Sequence, residues 1–248
     1  FWDNYNTKSK LRIYKNVRFY PFLDLIFPRL CVGCGKNMPH LSPEAGVLCD
    51  ECFSGIKIHE TLFCARCRNR LPHNKKVCHK DSPYLLGAAA DYADRTVREL
   101  IHNLKFKSVK DAAEPLARIL GEYVSSLGIE FKNFLVVPLP LSKVRERERG
   151  FNQSELIAKI FAEKMDLPIS TNLVRTRNTS PQSEIRDLGA RRKNVENCFA
   201  VRSPSKFEKQ NIILVDDVTT SGATLDEAVR AVKDCGVKRI LALAVAKA

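Results

Sequence analysis

An α/β domain built on a parallel sheet flanked by helices, preceded by a small metal-binding module, is the fold class this sequence predicts. Three observations carry it. Seven of the nine cysteines fall between Cys31 and Cys78. Beyond Pro83, short runs of large and β-branched apolar residues alternate with segments whose apolar residues recur at helical spacing. The length, 248 residues at 44% hydrophobic, allows one sizeable core with a small satellite beside it. The divisions that follow are an N-terminal helical or extended segment at 1–27, the cysteine module at 28–82 and the α/β domain at 83–248.

The module is read from its cysteine spacing. Cys31 with Cys34, Cys49 with Cys52, and Cys64 with Cys67 are three C-x-x-C pairs, and each sets two thiolates on one tight turn where a tetrahedral ion can take both. The first two pairs, 14 residues apart, complete a four-thiolate zinc site. Cys64, Cys67 and Cys78 supply three ligands of a second site, with His79 the first candidate for the fourth and His73 the other. One to two structural zinc ions are expected. A disulfide framework fits less well, since an odd number of cysteines leaves one thiol over and nothing indicates secretion. About fifty residues bury too little apolar surface to hold themselves together, so the metal has an ordering role. His40 and His59, with the first site already full, are expected to be ordinary surface histidines.

In the α/β domain, Leu86 to Tyr92, Phe134 to Val137, Ile212 to Val215 and Ile240 to Val245 read as strands, the last three as buried parallel ones. Val97, Leu100, Ile101 and Leu104 mark one helix, and Leu116, Ile119, Leu120 and Tyr123 a second after Pro115. Leu156, Ile157, Ile160 and Phe161 mark a third. The stretch from Arg202 to Gln210, rich in Pro, Ser and Lys, is a surface connection. The apolar run Tyr20 to Leu30 is broken by Pro21, Asp24 and Pro28 and is too short to span a membrane, so no membrane span and a cytoplasmic protein are expected. The sequence opens on Phe1 rather than Met, which leaves open what precedes it.

The chemistry concentrates in ILVDDVTTSGATLDEAV, Ile213 to Val229. A buried strand ends in two carboxylates, Asp216 and Asp217. A small-residue loop follows, and a helix is expected from Leu225. Thr219, Thr220, Ser221 and Thr224 offer hydroxyls, Gly222 and Ala223 let backbone N–H groups approach an anion, and the helix dipole favours negative charge there. The two acids would repel that anion, so their partners are a vicinal diol one sugar length away or a bridging magnesium ion. Phosphate and diol together describe a ribose 5-phosphate. Capping alone needs one such residue, not two acids and five small ones. No G-x-x-x-x-G-K-[ST] or G-x-G-x-x-G occurs, which argues against an ATPase or a dinucleotide enzyme.

Lys and Arg outnumber Asp and Glu 41 to 28, a net +13 that suits an anionic partner. Two basic tracts hold much of it. In the first, Lys143, Arg145, Arg147 and Arg149 can neutralise a pyrophosphate, while the interleaved Glu146 and Glu148 equally describe a solvated helix face. Asn152 or Gln153 behind it either reads a ligand or caps a helix with Phe151 in the core. The second tract holds Arg175, Arg177, Arg186, Arg191, Arg192 and Lys193 around the turn formers Asn178 to Pro181. It serves as a lid over the reaction centre, as a track for a phosphate backbone, or as a solvated face.

The loop resembles the 5-phosphoribosyl 1-pyrophosphate (PRPP) binding motif of type I phosphoribosyltransferases. Four further segments are similar to the ComF family. They are VVPLPLSKVRERERGFNQSELIA (Val136 to Ala158), Leu104 to Phe106, the tract Arg175 to Phe199 with Gln182, Arg191, Arg192 and Asn194, and the double zinc ribbon preceded by LDLIFPRLC (Leu23 to Cys31). The likeness spans nearly the whole chain. It departs at the second ribbon, where another C-x-x-C is usual and only Cys78 remains. The resemblance implies a type I phosphoribosyltransferase fold in which Asp216 and Asp217 hold the ribose hydroxyls, Thr219, Thr220, Ser221, Gly222, Ala223 and Thr224 hold the 5-phosphate, and Pro138 to Lys143 meets the pyrophosphate. It also implies magnesium with PRPP, a role in competence and DNA uptake, and single-stranded DNA as partner. With no motor motif of its own, the chain would work beside a helicase or translocase. Aromatic residues near the basic runs are few (Phe106, Phe151 and Phe199), so sequence-independent binding is the expected form. The alternative is an active PRPP-dependent transferase in nucleotide metabolism, displacing pyrophosphate with an acceptor the sequence does not name.

Overall fold

The computed structural model describes residues 29–38, 47–72, 78–79, 81–131, 133–180, 185 and 187–248. The segment 1–27, His40, His73, Gln182 and Arg186 lie outside the described residues.

The cysteine module contributes a short helix α1 (Asp50–Ser54) and a two-residue strand β1 (Phe63–Cys64). The α/β part follows in the order β2 (Leu85–Asp91), α2 (Arg95–Phe106), α3 (Ala113–Ser126), β3 (Phe134–Pro138), α4 (Lys143–Arg149), α5 (Gln153–Lys164), β4 (Leu173–Arg175), α6 (Leu188–Val195), β5 (Phe199–Val201), β6 (Asn211–Thr219), α7 (Ala223–Lys233) and β7 (Arg239–Lys247). The main sheet runs β1-β2-β7-β6-β3, and β2, β7, β6 and β3 are mutually parallel. β4 and β5 form a separate antiparallel pair.

The parallel strands alternate their side chains between two cores. Ile213, Val215, Leu241, Leu243 and Val245 face α2, α3 and α5, while Ile212, Leu214, Ile240 and Ala242 face α7 and Phe207. Burial on both faces is why these strands read as continuous apolar runs. The connection after β3 therefore puts α5 on one face, and the connection after β6 puts α7 on the other. Where adjacent parallel strands send their helices to opposite faces, a crevice opens at their carboxyl ends. Asp216 to Gly222 and the loop after Pro138 both emerge there.

The module is packed onto this domain. β1 adds antiparallel to β2 through Phe63↔Leu86 and Cys64↔Leu85. Leu48, Phe53, Ile56, Leu62 and Leu71 share one core with Leu100, Leu116 and Ile213. Tyr123 donates from its hydroxyl to the Thr61 carbonyl at 2.9 Å, and the Arg118 guanidinium stacks 3.7 Å over Phe53.

Three expectations need correction. His59 is not a surface histidine: it is 2% exposed, with Nδ1 2.8 Å from the Ala88 carbonyl oxygen and Nε2 3.4 Å from the Asp91 carboxylate. The strand of the ligand loop runs on to Thr219, because β7 continues alongside it through Asp216↔Ala244, Val218↔Ala246 and Thr219↔Lys247. The following helix starts at Ala223, two residues before Leu225, with Gly222 as its cap at φ +77. The loop proper is thus Thr220 to Gly222. Among the described residues, no helix is long and apolar enough to cross a membrane.

Candidate functional site

Two sets of potential ligands gather in the module. Cys31, Cys34, Cys49 and Cys52 form one and Cys64, Cys67, Cys78 and His79 the other, with all ligand atoms of each set within 4.8 Å of one another. Sγ of Cys49 is 3.5 Å from that of Cys31 and 3.9 Å from that of Cys34. Cys67 and Cys78 sulfurs are 3.5 Å apart, and Nδ1 of His79 is 3.4 Å from Cys64 and 3.2 Å from Cys78. Zinc bound tetrahedrally with Zn–S of about 2.3 Å spaces its sulfurs by about 3.8 Å, so both sets fit a closed structural site. Burial opposes ionisation of Cys31, but backbone N–H groups at Cys49, Cys34 and Gly33 outweigh it and bring the thiol to about 6, toward the thiolate a metal needs. Gly33 is required for packing, because a Cβ there would stand 2.9 Å from the Cys52 sulfur. His79, adjacent to Cys78, takes its place in the second set; His73 is outside the described residues.

At the carboxyl end of β6, Asp216 and Asp217 point into different surroundings. Asp217 is 3% exposed and its Oδ2 lies 2.8 Å from the Lys105 ammonium. Lys105 sits in the last turn of α2, in the Leu104 to Phe106 segment, which sequence reasoning singled out without assigning it a task. Oδ1 of Asp216 accepts from the Ser154 hydroxyl at 3.0 Å and from the Asp217 backbone N–H at 2.9 Å. Burial first, and the neighbouring Asp217 charge second, push the Asp216 carboxyl up to about 7; Lys105 and these hydrogen bonds pull the other way. One acid is therefore held as an ion pair, while the other is poised between its two protonation states.

The loop beyond them presents hydroxyls. Thr219 is 4% exposed and its Oγ1 has no hydrogen-bond partner in the protein. Oγ1 of Thr220 accepts from the Arg191 guanidinium at 3.2 Å, and Oγ of Ser221 accepts from the Ala223 N–H at 3.4 Å. Several guanidinium groups gather near the two acids and this loop, Arg149 beside Asp217, Arg175 beside Asp216 and Arg191 on Thr220. Arg145 donates to the Thr179 carbonyl at 3.2 Å, and Arg175 donates to the hydroxyl of the same residue. Nε of Arg175 is buried and unpartnered. Burial, together with the like charge of Arg145, moves Arg149 and Arg175 below the usual arginine range. Such crowding of one sign is costly unless an anion resolves it.

The first basic tract forms a helix and a cap. α4 is a seven-residue helix with no buried residue, capped by Ser142 and ended by Gly150 at φ +79. Asn152 is a helix cap: its Oδ1 accepts from the Ser154 N–H at 3.1 Å and its Nδ2 donates to the Leu139 carbonyl at 3.0 Å. Phe151 is buried, and Gln153, also buried, is engaged by Arg149. In the second tract, β4, β5 and α6 form a small hood beside α7, and neither the strand pair nor the helix was legible beforehand. Sequence reasoning also missed Arg68, Tyr84 and Asp226, which form a cluster at the start of α7.

Comparison with known proteins agrees with this geometry. Residues 22–81 match the double zinc ribbon domain, and residues 108–248 match the phosphoribosyl transferase domain. The chain is thus a phosphoribosyl transferase domain, with its parallel sheet and helices on both faces, carried behind a double zinc ribbon. Among its relatives, Competence protein F of Haemophilus influenzae is 28% identical over 233 residues, 88% of this chain and 96% of that protein. DNA utilization protein YhgH of Escherichia coli is 30% identical over 213 residues, covering 82% and 90%. Competence protein ComFC of Bacillus subtilis is 29% identical over 213 residues, covering 84% and 79%. The chain belongs to the ComF family.

Proposed function

We propose that this chain binds PRPP with magnesium through Asp216, Asp217 and Thr219 to Thr224, and that it handles single-stranded DNA during DNA uptake. The observation that carries the ligand reading is the meeting, at one crevice, of two acids with a hydroxyl-lined loop at a helix N-terminus. The acids suit a ribose diol, the unpartnered Thr219 hydroxyl and the start of α7 suit its 5-phosphate, and the neighbouring Arg145, Arg149, Arg175 and Arg191 suit the pyrophosphate. Magnesium supplies charge neutralisation between the diphosphate and the acids when bound. Both cysteine sets are assigned structural zinc: they are closed at four ligands each and leave no position for substrate.

The DNA reading draws on the names of the competence relatives and on the net charge of +13. The transferase alternative draws on Asp216, whose carboxyl at about 7 is matched to proton exchange near neutrality. One experiment tests the ligand site and separates the two roles. PRPP is titrated with and without magnesium into the wild type and into Asp216→Asn/Asp217→Asn, and pyrophosphate release is followed with candidate bases and with single-stranded DNA present. Tight, magnesium-dependent binding lost in the double variant, without release, is the expected result. Equal affinity in the two proteins refutes the site; release with one acceptor moves the function to the transferase.

A further inference from the structure

The second ribbon and the ligand loop meet at one side chain. Arg68 follows Cys67 directly and holds φ +62, a left-handed conformation uncommon for residues other than glycine. Its Nη2 donates to both carboxylate oxygens of Asp226 at 2.7 Å, and its Nη1 donates to the Tyr84 hydroxyl at 2.7 Å. The Tyr84 hydroxyl in turn donates to Asp226 Oδ1 at 2.7 Å. The guanidinium lies against Gly222 so closely that a Cβ there would stand 2.3 Å from its Cζ. Gly222 is thus needed both for its positive φ and for this approach. Asp226 lies in the first turn of α7, and its N–H donates to the Gly222 carbonyl at 2.8 Å.

An acid in a first helical turn complements the helix dipole, but it also stands one turn from the place assigned to a doubly charged phosphate. Unneutralised, it repels that phosphate. Arg68 and Tyr84 spread and cancel the charge. We infer that Arg68 is a positioning residue for the 5-phosphate: it masks Asp226, so the fold of the second zinc knuckle sets the phosphate affinity of a loop more than a hundred residues further along the chain. The inference rests on the PRPP-loop reading given above. Coupling of this kind is reciprocal, so ligand also steadies the knuckle.

The test uses the full zinc-loaded chain, with ribose 5-phosphate and inorganic pyrophosphate as probes in the presence of magnesium. Arg68→Met lowers affinity for ribose 5-phosphate by about tenfold and leaves pyrophosphate affinity unchanged. Adding Asp226→Asn to Arg68→Met restores ribose 5-phosphate binding to within about twofold of wild type, which a purely structural loss would not do. If Arg68→Met alone folds poorly, the double variant is compared directly with wild type, since losing Arg68 and neutralising Asp226 together leave the net charge beside the phosphate unchanged. A tenfold loss in that neutralised background, or an unchanged affinity in Arg68→Met, overturns the inference while leaving the loop reading intact. A wild type that binds neither ribose 5-phosphate nor PRPP overturns both.

Discussion

Asp216→Asn is the most informative single change in this chain. Its carboxyl is raised from 3.8 to about 7 by burial and by the Asp217 charge. Ionising a carboxyl held that high costs the fold at most about 4 kcal/mol. The sign follows from which state binds the proton. Below pH 3.8 both folded and unfolded chains hold it, and the stability is fully present. As pH rises toward 7 the unfolded chain ionises while the folded one does not, so stability is lost across that window and then levels off. Asn copies the neutral carboxyl in size and hydrogen bonding and does not titrate. Without ligand, Asp216→Asn should therefore match the wild type near pH 4 and exceed it by up to about 4 kcal/mol at pH 8. Urea melts of both proteins at each pH, compared pairwise so that titration of the cysteines cancels, measure the difference. The same variant should bind PRPP more weakly, and wild-type affinity should climb with pH through 7 as the carboxylate forms. A pairwise difference that does not change with pH, or a variant less stable at pH 8, would falsify the account of this acid as the strained half of the pair.

Two other outcomes follow from the geometry. Elemental analysis should find two zinc ions per chain; Cys49→Ser should lose one and His79→Ala the other, each with a lowered melting temperature, and a metal-free folded module would refute both assignments. Arg191 and Arg192 should separate in function: Arg191, bonded to Thr220, should weaken PRPP binding when changed to Ala, whereas the exposed Arg192 should lower the salt slope of DNA binding by about one; identical effects from the two variants would refute the division.

What the sequence made legible tracks where one local rule governs. β6 and β7 were visible because strands buried on both faces are uniformly apolar, as at Ile212 to Val215 and Ile240 to Val245. The end of β6 was misread because Asp216, Asp217 and Thr219 are polar, so the apolar run stops while the ladder with β7 goes on. α6 was not visible because only Val195 of its eight residues is buried, which leaves no apolar period to find. His59 looked like surface among Lys57, Ile58 and Glu60; its burial comes from Ala88 and Ala89 on a strand thirty residues away. The two acids were found because adjacent carboxylates at a strand end have few structural uses, but their division into a paired and a strained member depends on Lys105 and Ser154, more than 60 positions off in each case. Arg68 and Asp226 are separated by 158 positions, and no spacing rule reaches that far.

The ribbon's contribution follows from where it is attached. A parallel sheet of four strands leaves β2 as an open edge, and β1 closes it with two paired residues, one of them the metal-set residue Cys64. The His59 N–H adds a bond to the Ala89 carbonyl at 2.8 Å, and Leu62 and Leu71 enter the same core as α2 and α3. β2 is paired in turn with β7, and β7 with β6, which carries Asp216 and Asp217. A metal bound by Cys64, Cys67, Cys78 and His79 would therefore stabilise an edge of the sheet that carries Asp216 and Asp217 as well as the ribbon itself. The double zinc ribbon serves this fold as a wall of the phosphoribosyl transferase domain, and the side chain that leaves that wall for the Thr220 to Gly222 loop, Arg68, starts one residue beyond Cys67 of the second cysteine set.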